Sequence, residues 1–246
     1  MEAIILGCGE AFDEKLPNTS VLVKSSAILL LDCGFSAAPQ VWKAVPDPNG
    51  IDLIYLSHAH ADHYFGMPAL LGRMWEERRT DPLQIVSQPE VIDQLRRALE
   101  LGHRGMPERY RFTIDYRPAS AGDTLAFEDV ALDFAETWHS ASNLAVRVTS
   151  GNKSICYSGD GGITDASRAL FSGTDLLIHE AYSFEQKRFH AGIPGLLEMA
   201  TREHVRNLAL VHVQRRVRAD SASILDSIGA AAEHITLPDP MTHFHV

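Results

Sequence analysis

The sequence predicts an α/β protein, a four-layer αβ/βα sandwich of two mixed β-sheets flanked by helices. Three observations predict it. Short runs rich in Ile, Val and Leu recur along the chain, each bounded by Gly, Pro, Asn, Asp or Ser, the pattern of strands. Longer segments with apolar residues at helical spacing lie between them. Strands are paired early and alternate with helices later, an order that buries apolar faces in stacked layers.

In order, the runs AIILG (3–7), SVLVK (20–24) and AILLLDC (27–33) read as the first strands. LIYLS (53–57) leads to a helix over Pro68–Arg79, and LQIVS (83–87) to a helix over Pro89–Leu101. VALDFAE (130–136), LAVRVTS (144–150) and SICYSG (154–159) form a second strand group, followed by a helix over Ile163–Phe171. DLLIHE (175–180), a helix over Ile193–His204, LALVHV (208–213), a helix over Asp220–Glu233 and HITL (234–237) complete the order. Proline stands at or near several helix starts, where its missing N–H costs little. KSSAILLLDCG (24–34) echoes NKSICYSGDGG (152–162), and LIYLSHAH echoes LALVHV, which suggests two related halves.

The 246 residues contain no linker-like stretch and fit a single domain, 1–246. The longest apolar runs fall far short of the about 18 residues of a membrane span. MEAIILGCGE lacks the basic n-region of a signal peptide, so a cytoplasmic location is expected. Cys8, Cys33 and Cys156 lie in or beside apolar runs and are read as reduced core residues. A formal charge of -10 argues against general attraction to nucleic acid or anionic membrane. Between Lys187 and Arg218, however, seven basic residues face two acidic ones, a local surplus of +5 suited to focusing a small anionic substrate.

The stretch Ser57–Gly66 reads SHAHADHYFG, directly after a buried strand. His58 and His60 are two apart, so at a strand end both side chains point to the same side. Asp62 and His63 come round as the chain turns. His139, Asp160 and His212 each end another apolar run. Seven imidazole and carboxylate groups are too many for one tetrahedral ion but suit two divalent ions about 3.5 to 4 Å apart. His58, His60 and His139 are assigned to the first ion, and Asp62, His63 and His212 to the second, with Asp160 bridging. The donor set suits Zn2+, and Mn2+ or Fe2+ less closely.

LGCGEAF, LLLDCG, SHAHADH, TWHS, YSGD, DLLIHEA and LVHV, in this order, resemble the metallo-β-lactamase-fold hydrolases, and within them the ribonuclease Z-like, phosphodiesterase branch. The resemblance implies that Glu180, in DLLIHEA, and His190, in FHAGIP, form a catalytic pair beside Asp62, and that the chain is a homodimer. His179 is read as packing or support, and Asp32 as a hydrogen-bonding support for the ligand loops. His103, His204, His234, His243 and His245 lack the strand-end setting and are set aside.

The expected activity is hydrolysis of a small or cyclic nucleotide-like phosphodiester, with a metal-bridging hydroxide as nucleophile. Members of the branch that process tRNA 3′ ends carry a long basic arm between the equivalents of His139 and Asp160, where this sequence has only a hairpin, LAVRVTSGNKSICYSG. The segment from Arg73 to Arg117 holds nine Arg against eight acidic residues and is no substitute, so structured RNA is disfavoured as a substrate. The same donor set also suits a lactone, thioester or β-lactam hydrolase, or a non-catalytic, metal-dependent sensor.

Overall fold

The computed structural model describes residues 1–220, 222, 224, 228 and 233–246. Two seven-stranded sheets lie face to face. The first contains β1 (Glu2–Gly7), β2 (Ser20–Lys24), β3 (Ile28–Leu31), β4 (Leu53–Tyr55), β5 (Leu83–Ser87), β6 (Ile114–Pro118) and β14 (Thr242–His245), in the order β14-β1-β2-β3-β4-β5-β6. The second contains β7 (Thr124–Phe127), β8 (Val130–Glu136), β9 (Leu144–Ser150), β10 (Lys153–Tyr157), β11 (Leu176–Glu180), β12 (Leu208–Val211) and β13 (Ile235–Thr236), in the order β13-β12-β11-β10-β9-β8-β7.

Alternation along the strands divides the apolar side chains between two layers. Ile5, Val21, Val23, Leu29 and Leu31 of the first sheet share one core with Leu132, Phe134, Val146, Ile155 and Ile178 of the second. The outer face of the first sheet is covered by α1 (Ala38–Ala44), α3 (Met67–Glu76) and α4 (Pro89–Gly102). The outer face of the second is covered by α5 (Asp165–Phe171) and α6 (Ile193–Arg202). The expected four layers are present, and each sheet mixes antiparallel and parallel pairs.

Helix starts follow local chemistry. Proline occupies the first turn of α3, α4 and α6. At α5, the Thr164 hydroxyl accepts the Ser167 N–H at 3.0 Å and the Ser167 hydroxyl accepts the Thr164 N–H at 2.9 Å, a reciprocal cap. The helix expected over Asp220–Glu233 lies largely outside the described residues. Three short helices were not expected: α1, α2 (Ala61–Tyr64) and α7 (Arg215–Ala219).

Only one of the two sequence echoes matches the topology. Both β3 and β10 close an antiparallel hairpin and begin the parallel part of their sheet, so they occupy equivalent places. The strand equivalent to β4 is then β11, whereas LALVHV forms β12, one place further out. No helix among the described residues is long and apolar enough to cross a membrane. All three cysteines are free and buried, and burial pushes the Cys8 and Cys156 thiols up to about 11.

Candidate metal centre

The polar cluster forms where strand ends from both sheets meet. His58 follows β4, and His60, Asp62 and His63 lie on the turn into and through α2. His139 follows β8, Asp160 follows β10 and His212 follows β12. The chain tolerates strain to place them: His212 has φ 53° and Asp32, at the end of β3, has φ 59°, both left-handed backbone that non-glycine residues rarely adopt. The floor is backbone against backbone. A β-carbon at Gly34 would collide with the Asp62 carbonyl, and one at Gly66 with the Gly34 carbonyl.

The structure brings all seven expected residues together, in the expected two groups. Ligand-type atoms of His58, His60 and His139 lie within 4.8 Å of one another, as do those of Asp62, His63, Asp160 and His212. Asp160 stands between His63 (Nε2 to Oδ1, 3.5 Å) and His212 (Nε2 to Oδ2, 3.4 Å), and it also reaches His139. Asp62 Oδ2 lies 3.1 Å from His212 Nε2 and 3.3 Å from His63 Nε2.

These groups fit divalent cations. His58 Nε2, His63 Nε2, His139 Nδ1, His212 Nδ1 and Asp160 Oδ1 are buried with no hydrogen-bond partner, a costly state unless another group satisfies them. Their protonation follows from the same crowding. Burial pulls His63 and His212 down, but the Asp160 carboxylate and its neighbours outweigh it, holding His63 well above its usual range and His212 at about 9. Burial pushes Asp62 and Asp160 up, but these imidazoles hold both carboxyls below the usual range. Burial leaves His58 well below the usual range and His139 at about 4. Without metal, protonated His63 and His212 thus provide the positive charge that a cation would bring.

A buried network holds the ligand loops. Asp32 lies against His63 Nδ1 at 2.7 Å, accepts the Tyr157 hydroxyl at 2.7 Å, and accepts both the Ser57 N–H and hydroxyl at 2.7 Å. Asn143 accepts the Asp160 N–H at 3.1 Å and donates to the Thr137 hydroxyl and the Ser158 carbonyl.

Glu180 and His190 also meet at the cluster. Glu180 is fully buried, and its Oε1 accepts the N–H groups of Gly161 (3.0 Å) and Ala191 (2.9 Å) and lies 3.4 Å from His190 Nδ1. Burial pushes the Glu180 carboxyl up, while Glu180 overcomes the burial of His190 and raises its pKa. Tyr182 stacks on His190 at 4.4 Å between ring centroids. His179 points the other way: its Nδ1 faces the Glu180 carbonyl and its ring meets Phe171, so it packs. None of the five histidines set aside from sequence joins a ligand group among the described residues.

Four of the seven basic residues in the surplus are paired with carboxylates. Arg215 is bound to Glu10 at 2.5 Å, with Glu14 at 3.8 Å; Arg206 pairs with Asp175 at 2.6 Å; Arg218 pairs with Asp239 at 3.2 Å; and Lys187 pairs with Glu185 at 3.0 Å. The cavity over the cluster, about 380 Å³, has no Lys or Arg in its lining. Glu10, Phe12, Phe35, Ser140 and Tyr182 line it and were not singled out from sequence. Only the position of Tyr182, two residues past Glu180, offered a local signal.

The family model described as "Anti-Pycsar protein Apyc1" matches residues 1–231. A ribonuclease Z of Methanosarcina acetivorans is 22% identical over 298 aligned positions, covering 98% of this chain and 96% of the relative. Human tRNase Z, short form, superposes with a TM-score of 0.81 at 20% identity, covering 100% of this chain and 99% of that one. A diphosphatase from the PhnP family superposes at 0.77 and 15% identity, covering 100% of this chain and 98% of that one.

Proposed function

Because this chain belongs to the Anti-Pycsar Apyc1 family and is a metal-dependent hydrolase of the ribonuclease Z-like branch, we propose that it cleaves a small or cyclic nucleotide-like phosphodiester. The observation that carries this reading is the Glu180–His190 pair, 3.4 Å apart, in which His190 lines the cavity over the His/Asp cluster and Glu180 is buried behind it. Phosphodiester cleavage must protonate a poor alkoxide leaving group, and an imidazole beside a buried carboxylate suits that task.

His58, His60 and His139 would hold one ion, and Asp62, His63 and His212 the other, with Asp160 shared. When bound, two such ions, best matched by zinc among imidazole and carboxylate donors, supply Lewis acidity and a water that ionises near neutral pH. Asp62 then accepts a hydrogen bond from the attacking water and orients it toward phosphorus. His190 Nδ1 faces Glu180, so Nε2 is left for the substrate. As the water oxygen, one proton of which has already passed to solvent, bonds to phosphorus and the ester P–O bond breaks, His190 gives its proton to the departing oxygen, and Glu180 stabilises the imidazolium until that moment. Tyr182, stacked on the ring, fixes its tilt.

The names of the sequence relatives favour a second reading, tRNA 3′-end processing. Two features weigh against it. The β9–β10 hairpin turns within Gly151 and Asn152 and leaves no arm. The cavity lining has no cation to grip a polyanion. Three unpaired cysteines suit a reducing, cytoplasmic compartment.

The test is to incubate metal-loaded protein with bis(p-nitrophenyl) phosphate, with cyclic mononucleotides and with a tRNA precursor bearing a 3′ trailer. Metal-dependent turnover of the small esters, abolished in Asp62→Ala, is expected. Turnover of the tRNA precursor alone would establish the second reading, and turnover of none of the three would sink both.

A further inference from the structure

Large apolar side chains exposed to water are Phe12, Phe35, Phe65, Leu101, Trp138 and Met241 among the described residues. Four of the six neighbour a ligand residue in sequence or line the cavity. Phe65 is two residues past His63, Trp138 directly precedes His139, and Phe12 and Phe35 line the cavity itself. Phe12 is 78% exposed and Phe35 52%, although both lie beside buried polar groups where a polar residue would be better hydrated. Two exposed rings in the lining of a concave site mark a surface that something apolar covers.

The loop that carries Phe12 is anchored. Glu10 is 2% exposed; its Oε2 accepts the Phe12 N–H at 2.8 Å and its Oε1 binds Arg215 at 2.5 Å, tying the loop after β1 to the start of α7. Phe35 follows Gly34, whose backbone lies directly against Asp62. The backbone that carries each ring is therefore anchored beside the ligand groups. The cavity between them, about 380 Å³, is at the small end of the range for small-molecule sites, roughly 300–1,000 Å³.

From this we infer that Phe12 and Phe35 form an aromatic clamp that takes the planar heterocycle of a nucleotide while its phosphodiester lies on the His/Asp cluster. The inference rests on the proposed phosphodiesterase reading and makes it narrower. Every base has a π-face, so stacking holds a base without reading its identity. With Arg215 and Arg218 paired to acidic partners and no arginine in the lining, ring stacking replaces charge as the grip on the part of the substrate that does not react. The clamp favours a single nucleotide carrying one phosphodiester over a polyanionic strand, and it tolerates both purines and pyrimidines.

The test compares wild type with Phe12→Leu, Phe35→Leu and the double variant, all metal-loaded. Leucine keeps the apolar volume and removes the π-face. Steady-state turnover is measured on cyclic mononucleotides of each base and on the matching base-free ribosyl cyclic phosphate. Binding of a nucleoside 5′-monophosphate is measured in parallel by calorimetry, which needs no turnover. The expected result is a preference for base-bearing over base-free ester that falls about tenfold per ring, expressed in KM, with a matching rise in monophosphate Kd. Equal loss on both esters would overturn the clamp, because the rings would then be structural. A shift in oligomeric state on size exclusion with no change in KM or Kd would overturn it as well, because the rings would then be covering a second copy. If wild type turns over no phosphodiester, the proposed function fails by itself, and the calorimetry still decides the clamp: equal Kd values in wild type and double variant sink it.

Discussion

The Asp32 carboxylate reaches across the core to Tyr157, 125 residues away in the chain, and with the same oxygen holds His63 Nδ1, each at 2.7 Å. The bond from Nδ1 sets the ring plane of His63 and turns Nε2 toward Asp62 and Asp160. Outer partners of this kind fix both tautomer and direction of a metal-binding imidazole. Asp32→Asn removes the charge while keeping the shape. Metal retention, read by competition with a chromogenic chelator, should weaken by about 10- to 100-fold. Retention equal to wild type would show that His63 is placed by packing alone.

Metal binding should release protons. At pH 7 the metal-free protein carries imidazolium at His63, held well above its usual range, and at His212, near 9. Both must lose a proton to ligate. Titration calorimetry in buffers of different ionisation enthalpy should report about two protons released at the second site, and affinity there should rise between about pH 6.5 and 9.

The same two shifts set the pH dependence of the metal-free fold. Both folded pKa values are raised, so their contribution is fully present below the unfolded value of about 6.5 and is lost as pH rises through the folded values, about 9 for His212. Chelated protein should lose thermal stability over that window by differential scanning calorimetry. Loaded protein, already deprotonated at these sites, should not show the same slope.

His190→Asn should lower kcat by about 100- to 10,000-fold on an ester with an alkoxide leaving group, and by less on a p-nitrophenyl ester, whose leaving group needs little protonation. Bound metal, measured by elemental analysis, should be unchanged. Glu180 is the partner that raises the His190 pKa. The alkaline limb of the kcat profile, where the acid is lost, should therefore move to lower pH in Glu180→Gln. Equal losses on both leaving groups would remove the general-acid role.

Far from the site, Arg79 is fully buried and donates to the carbonyls of Pro48, Ile51, Asp81 and Pro82 at 2.8 to 2.9 Å. Arg79→Met leaves these acceptors unpaired and should cost about 2–4 kcal/mol in urea unfolding, with no change in metal content.

Most of the fold and nearly all of the polar cluster were legible in the sequence, for one shared reason. Interior strands such as β3, β4, β11 and β12 are almost wholly buried, so they appear as apolar runs, and a ligand-type residue at the end of such a run stands out. The strands that were not legible, β6, β7 and β14, are all edges. Their side chains alternate between partial burial and exposure, in IDYRP, TLAF and THFH, and no apolar run forms. The helices α1, α2 and α7 have at most seven residues, and unlike the equally short α5 none of them opens on a Ser or Thr cap. Local charge counting does not see that Arg215 finds Glu10 at 205 residues' separation and Arg206 finds Asp175 at 31. Phe12 and Phe35 gave no signal, since an exposed phenylalanine is distinguished only by where it sits.

The glycines beneath the cluster bear on how such a site can diverge. At Gly34 and Gly66 the backbone is pressed against carbonyl oxygens, so any larger residue would displace the turn that carries Asp62 and His63. The underside is therefore closed to substitution, while the opposite opening, bordered by side chains in water, accepts new shapes at little structural cost. Descendants of this chain that acquire a new substrate should differ at the opening and keep these two glycines.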